Sequence, residues 1–159
     1  MTTAPQTSEY PALTPPAGEV RRAAFTELDP VTAYRLWQLR SAVFVLEQEC
    51  PYLDLDGRDL EPSAVHLWVE DAAAVPAGVL RVLEDGAAAR IGRVVVAPEA
   101  RSSGVAARLM EAALAVVGER PSVLHAQARL EGWYARFGYA AEGPAFMEDG
   151  IAHVPMRRG

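Results

Sequence analysis

Residues 90–110 read RIGRVVVAPEARSSGVAARLM. The run of Val94, Val95 and Val96 favours a buried extended strand. Val105, Leu109, Ala112 or Ala113 and Val116 then recur at helical spacing until Gly118 stops them. Between the two lies a charged, glycine-containing corner at residues 101–106. A helix that begins straight after a central strand leaves its first amides unpaired and aims the positive end of its dipole at one point. Such a point attracts phosphate. Gly104 removes a side chain where phosphates would approach the backbone, Ala106 keeps the first turn slim, and Arg101 adds charge. Ser102 and Ser103 can cap the helix or donate to phosphate oxygens. The plain alternative is a tight turn with a solvated arginine. The corner lacks the Lys-Ser/Thr ending of a nucleoside-triphosphate loop and the triple glycine of a dinucleotide fingerprint.

Working outward, "AGVLRVLE" precedes this stretch as a second strand, and Asp85-Gly86 marks a hairpin between the two. Val65, Leu67 and Val69 alternate with polar or aromatic residues as a further half-buried strand. Upstream, Ala23, Phe25 and Glu27 suit a short strand. Asp29-Pro30 then caps a helix with an apolar stripe at Leu36, Leu39, Val43 and Leu46, ended by Pro51. The loop "CPYLDLDGRDLEP" carries Asp54, Asp56 and Asp59, whose spacing does not complete a calcium loop, so they read as a solvated or amine-attracting rim. Downstream, "SVLHAQA" is a strand, residues near Leu130 to Phe137 a short helix, and "AHVPM" a closing strand with Pro155 at an edge. The order βαβββαβαβ describes one α+β domain over residues 21–159, behind a proline-rich tail over residues 1–20 expected to be flexible.

The chain has 159 residues, half of them hydrophobic, with a formal net charge of −6. That composition favours a packed core and speaks against a nucleic-acid partner. No apolar run approaches a bilayer span and no secretion leader is recognisable, so no membrane is expected. One cysteine, Cys50, makes neither an internal disulfide nor a zinc site; the chain reads as cytoplasmic and metal-free.

Val96 with Arg101, Ser102, Ser103, Gly104, Val105 and Ala106 resembles the acyl-coenzyme A signature of the GCN5-related N-acetyltransferases: Arg or Gln, any two, Gly, any one, Gly or Ala. "EGWYARFGY" resembles that family's second signature. "LRSAVFVLEQECPYLDLDGRDLE", "AQARLEGWYARFGY" and "EDGIAHVPM" look like blocks of its ElaA-like branch, and together these cover about Ala24 to Met156. The resemblance implies a twisted, mixed but mostly antiparallel sheet flanked by helices, with a splayed strand pair forming an acyl-CoA cleft. It places pantetheine along Val94, Val95 and Val96, and the pyrophosphate at residues 101–106.

The implied reaction moves an acetyl group from acetyl-CoA, the cosubstrate, to a primary amine of a small molecule or protein, by direct attack in a ternary complex. An amine of pKa near 10 is mostly ammonium at neutral pH, so a base must take its proton. Glu47 is the candidate base. Tyr134 matches the family tyrosine near the coenzyme sulfur and is the candidate general acid; the alternative is an aromatic core residue. Arg40, Phe44, Gln48, Glu148 and His153 are candidate acceptor-binding residues, Asp149 lies with the last two, and Arg40 can equally be an ion-pair partner of Glu47. His66, alone on a strand, reads as structural. Two other readings stay open: an acyl-CoA sensor without turnover, and an enzyme for longer acyl donors. Dimers are frequent in the family, and nothing in the sequence fixes an interface.

Overall fold

The computed structural model describes residues 18–159. In chain order the elements are β1 (Arg21–Ala23), α1 (Pro30–Arg40), β2 (Val65–Glu70), β3 (Pro76–Asp85), β4 (Ala88–Val96), α2 (Val105–Val117), β5 (Ser122–Gln127), α3 (Glu131–Ala135), β6 (Ala140–Ala141), β7 (Phe146–Glu148) and β8 (Ile151–Arg158). The strands form one sheet in the order β1-β2-β3-β4-β5-β8-β6, with β7 also on β8. All neighbours are antiparallel except β4 and β5. The expected mixed, mostly antiparallel sheet is therefore present. The tail expected over residues 1–20 lies, up to residue 17, outside the described residues.

Strand alternation sorts the core onto two faces. Leu67, Val69, Leu80, Val82 and Ile91 meet Leu109 and Met110 of α2 on one face. Trp68, Val79 and Val95 meet Leu36 and Val43 on the other. Leu36, Leu80 and Leu109 are all 0% exposed, and burying each such side chain is worth about 2 kcal/mol. Asp29 caps α1 as expected, its Oδ1 accepting from the amides of Val31 and Thr32 at 3.0 Å each. Gly78 is required by close approach: a Cβ there would stand 2.6 Å from Val105 Cγ1. The first residue of α2 thus rests directly on β3.

Four local expectations change. Phe25–Glu27 is a 3-10 turn rather than part of a strand, because the Glu27 amide donates to the Ala24 carbonyl at 3.0 Å and the Ala24 amide to the Glu27 carboxylate at 2.7 Å. The first helix does not run on as α to Pro51; Ser41–Glu47 is π-helical. The extra residue per turn rotates the stripe, so Leu46, expected in the core, is 75% exposed. The C-terminal segment supplies three strands rather than one. Finally, β8 is interior, flanked by β5 on one side and by β6 and β7 on the other. Pro155 is tolerated there because its carbonyl points to the Glu142 amide at 2.9 Å. A strand residue's N–H and C=O point the same way, so the missing donor faces the break between β6 and β7.

Candidate active site

Parallel pairing of β4 with β5 is confined to Ala89 opposite Ser122 and Arg90 opposite Val123. Past that point the strands diverge. The gap opens into a cleft of about 680 Å³ lined by Val94, Val95 and Val96 on one side and Leu124, His125 and Gln127 on the other. A bulge helps to turn β4 away. Val79 faces Val95 but Arg81 faces Gly92, so Arg93 and Val94 together oppose Leu80, and Arg93 takes a φ of +53°. A bulge of this kind increases twist and leaves a residue unpaired.

At the end of β4 the corner has the form its sequence predicts. Gly104 precedes α2 with φ +84° and supplies no side-chain cap. The first helical bond runs from the Arg108 amide to the Gly104 carbonyl at 3.1 Å. The helix therefore offers no acceptor to the amides of Val105, Ala106 and Ala107. Ser102 adopts a φ of +63°, and the Ser103 hydroxyl donates to the Ala100 carbonyl. Of the corner residues Arg101 and Ala106 line the cleft. Ser102, Ser103 and Gly104 are exposed beside it, and Val105 is core.

Arg101 and Glu47, expected in different roles, are bound to each other. Nη1 stands 2.7 Å from Oε1 and Nη2 donates to Oε2 at 2.9 Å, a two-pronged pair that ties the π-helical segment to the corner. The Arg101 hydrogen bond, against a smaller effect of burial, holds the Glu47 carboxyl below the usual carboxylate range. This weakens it as a base.

Tyr134 on α3 lines the cleft and is 6% exposed. Its ring meets Trp133 edge-on, with centroids 4.9 Å apart. Burial, with Tyr139 adding to it, pushes the phenol up to about 12. The hydroxyl consequently remains a proton donor across the neutral range.

On the other side, Phe44 and Glu47 of the π-helical segment, Gln48 just after it, Cys50 and Tyr52 of the following loop, His125 of β5, and Glu148, Asp149 and His153 of the last hairpin all border the cleft. The Cys50 thiol donates to the Asp149 carbonyl at 3.0 Å and joins loop to hairpin. His125 was missed in the sequence. Its alternation with the buried Leu124 and Ala126 was the available signal that it faces the other way.

Arg40 does not join this group, because it is 1% exposed and already saturated. Its Nε binds Asp54 at 3.0 Å and its Nη1 binds Asp59 at 2.7 Å. It pairs with these two aspartates and not with Glu47. Arg81 pairs with Asp59 at 3.0 Å and Asp56 at 2.6 Å; Arg93 pairs with Asp54 at 2.8 Å and Asp56 at 3.3 Å. The three aspartates are not a solvated rim: Asp54 and Asp59 are each 4% exposed, inside an alternating network that pins the loop to β3 and β4. Desolvation would raise the carboxyl groups of Asp56 and Asp59, but the arginine hydrogen bonds and charges overcome it and hold both below the ordinary range. His66 is 0% exposed, with Nε2 3.3 Å from the Asp59 carbonyl; burial pushes its imidazole down and keeps it neutral. Its place is structural. Among the described residues no helix is long and apolar enough to cross a membrane, and no group of three His, Cys, Asp or Glu could hold a metal ion.

An open sheet whose central strands part at a helix N-terminus is the architecture of an acyl-CoA-dependent transferase fold. Residues 48–158 match the acetyltransferase (GNAT) domain family. The ElaA protein of Escherichia coli is 38% identical over 139 residues, covering 84% of this chain and 91% of that protein. A UPF0039 protein of Mycobacterium bovis is 43% identical over 143 residues, or 87% of this chain and 92% of the relative. Among solved structures, an acyl-CoA N-acyltransferase from Pseudomonas aeruginosa superimposes with a TM-score of 0.84 at 35% identity, covering 90% of this chain and 100% of the other. Escherichia coli ElaA gives 0.84 at 34% identity, covering 89% and 99%. The chain belongs to the acetyltransferase (GNAT) family, in its ElaA-like branch.

Proposed function

We propose that the protein is an acyl-CoA N-acyltransferase that moves an acetyl group from acetyl-CoA to a primary amine of a small molecule or protein, by direct attack within a ternary complex. The observation that carries this reading is the parting of β4 and β5 beyond Arg90 and Val123, in a gap that ends on the corner at Gly104. The residues there fit the donor. The backbone groups of Val94, Val95 and Val96 that β3 does not engage offer amide partners to pantetheine along the gap edge of β4, as a missing strand would. Arg101 and the first amides of α2, with Ser102, Ser103, Gly104, Val105 and Ala106 forming the turn, offer a cradle to the pyrophosphate. Acetyl-CoA supplies the activated acyl carbonyl.

The chain's own residues do the rest. The bulge at Arg93 and Val94 frees backbone from the β3 ladder next to the gap, where an amide can meet charge developing on the carbonyl oxygen. Tyr134, buried and protonated, gives its proton to the departing sulfur. Glu47 holds Arg101 toward the corner and is not assigned the base. Phe44, Gln48, Glu148 and His153 border the space for the acceptor.

The test is calorimetric. Gly104→Glu puts a carboxylate at the cradle, where a Cβ meets nothing within 4 Å. Gly104→Ala adds only the cost of a positive φ, about 1 kcal/mol. The glutamate variant should bind acetyl-CoA at least about tenfold more weakly than the alanine variant; equal binding refutes the placement. Amine-dependent thiol release from acetyl-CoA across an amine panel tests turnover itself, with longer acyl-CoA donors run in parallel. The chain has fifteen arginines and no lysine. It therefore has no ε-amine of its own to consume the donor, and release without added amine would speak against the reading.

A further inference from the structure

Strands β5, β7 and β8 bring His125, Glu148 and His153 together at the acceptor side of the cleft. Glu148 Oε2 stands 3.8 Å from His125 Nδ1 and 3.9 Å from His153 Nε2, too far for direct hydrogen bonds. His153 Nδ1 lies 2.8 Å from the Ile151 carbonyl. A carbonyl only accepts, so Nδ1 carries a proton, and in the neutral tautomer this leaves the Nε2 lone pair turned toward the carboxylate. Phe146 closes the group from the side, edge-on to His125 at 4.9 Å and stacked on His153 at 6.0 Å.

In that tautomer two acceptors face one another across a gap that a donor placed between them relieves. Among the described residues no side chain donates into it. Of the nearby arginines, Arg90 is bound to Asp85 at 2.6 Å and Arg101 to Glu47 at 2.7 Å, and the chain has no lysine. Atoms 3.9 Å apart can both accept from a single nitrogen about 2.9 Å from each. A primary ammonium presents three such N–H groups on one centre.

We propose that this gap seats the nitrogen of the acceptor, a primary alkylammonium held between Glu148 and His153 Nε2 with a third N–H toward His125, and that His153 is the base which deprotonates it. The proposal rests on the N-acyltransfer reading and names the acceptor class and base for it. The ammonium gives one proton to His153 Nε2, and the freed lone pair forms the C–N bond. The C–S bond breaks with its electron pair going to sulfur, which takes the Tyr134 proton. The second proton lost by nitrogen restores Tyr134, and His153 returns its own to solvent. Glu148 meanwhile faces an imidazolium rather than a lone pair, which favours the transfer. Burial first and then Arg90 push the His125 imidazole down, against Glu148 and Glu142, which raise it, and Asp85 also interacts with it, so it stays a neutral neighbour. Of the other carboxylates at the cleft, Glu47 is paired with Arg101 and Asp56 with Arg81 and Arg93.

The chain has three histidines, so imidazole carbon–proton NMR reads the seat directly and needs no turnover. Titration of the full-length protein with n-butylammonium should shift His125 and His153 and leave His66 in place. n-Butyltrimethylammonium, with the same charge and no N–H, should shift neither. Glu148→Gln should weaken the n-butylammonium titration about tenfold or more. Equal shifts with both cations, no shift with the primary amine, or unchanged affinity in Glu148→Gln each overturn the seat. For the base, His153→Asn should lower kcat/KM for n-butylamine about a hundredfold at pH 7, and recover as the pH approaches the amine's own pKa near 10. A deficit equal at every pH overturns that role. Histidine shifts with no thiol release at any pH would refute proton transfer and acyl transfer while leaving the seat intact. Turnover without histidine shifts would do the reverse.

Discussion

Asp59→Asn keeps the shape of a side chain and removes its charge from the centre of the buried network. One oxygen, Oδ1, receives both Arg40 Nη1 at 2.7 Å and Arg81 Nη1 at 3.0 Å, and Asp59 is 4% exposed. Breaking one partner out of a buried ion pair costs about 3–5 kcal/mol, because the remaining charge is left uncompensated out of water. Here Asp54 and Asp56 still hold the two arginines, which puts the expected loss near the lower end, about 3 kcal/mol. For a domain of this size each kcal/mol moves Tm by roughly 2–4 °C. Scanning calorimetry at pH 7 should therefore show Tm about 6–12 °C below the parent. The pH dependence has a definite sign. The carboxyl of Asp59 is held below its unfolded value by Arg40 and Arg81, in spite of desolvation. Its contribution is complete above the unfolded carboxyl pKa of about 3.9 and is lost as pH falls through the lower folded value. The Tm gap between variant and parent should stay constant from about pH 5 to 8 and narrow below about pH 4. A drop under about 2 °C at pH 7, or a gap that widens on acidification, would refute the account of the network as a neutralised buried cluster.

Tyr134→Phe keeps the aromatic packing on Trp133 and removes the proton, so the fold should persist while kcat falls about a hundredfold at saturating substrates; unchanged turnover removes the general-acid assignment. Glu47→Gln releases Arg101 from its two-pronged partner. Because that pair is nearly half exposed, Tm should move by less than about 3 °C, and the effect should appear in the KM for acetyl-CoA, with kcat held within about threefold. A hundredfold fall in kcat in a stopped assay would restore Glu47 as the base.

The elements whose evidence is local were legible without coordinates. The valine strand, the Asp85-Gly86 hairpin, the Asp29-Pro30 cap and the glycine corner each depend on residues within a few positions of one another, where backbone sterics and unpaired amides decide the outcome. Tyr134 and the corner were expected near one ligand, and the diverging strands bring both to the cleft. The acceptor side was harder to see. Glu148 and His153 were named as polar residues near the end of the chain, but His125 comes from another strand, and only pairing of β5 with β8 sets the three around one gap.

Charge shows the same division most clearly. A loop dense in aspartate looks solvated when its neighbours in sequence are counted, since Asp54, Asp56 and Asp59 have one local arginine among them. Their partners Arg40, Arg81 and Arg93 arrive from α1, β3 and β4, and convert exposed acids into a buried network. Likewise the apolar stripe foretold a helix, but the π-helical turn after Arg40 determined which of its residues face the cleft. The sequence by itself determined the central strands, the helix α2 and the glycine corner between them, because those follow from short-range geometry. Only the tertiary structure decided which charges neutralise one another and which acceptors are left facing a gap, because that depends on distances between residues the chain brings together from far apart.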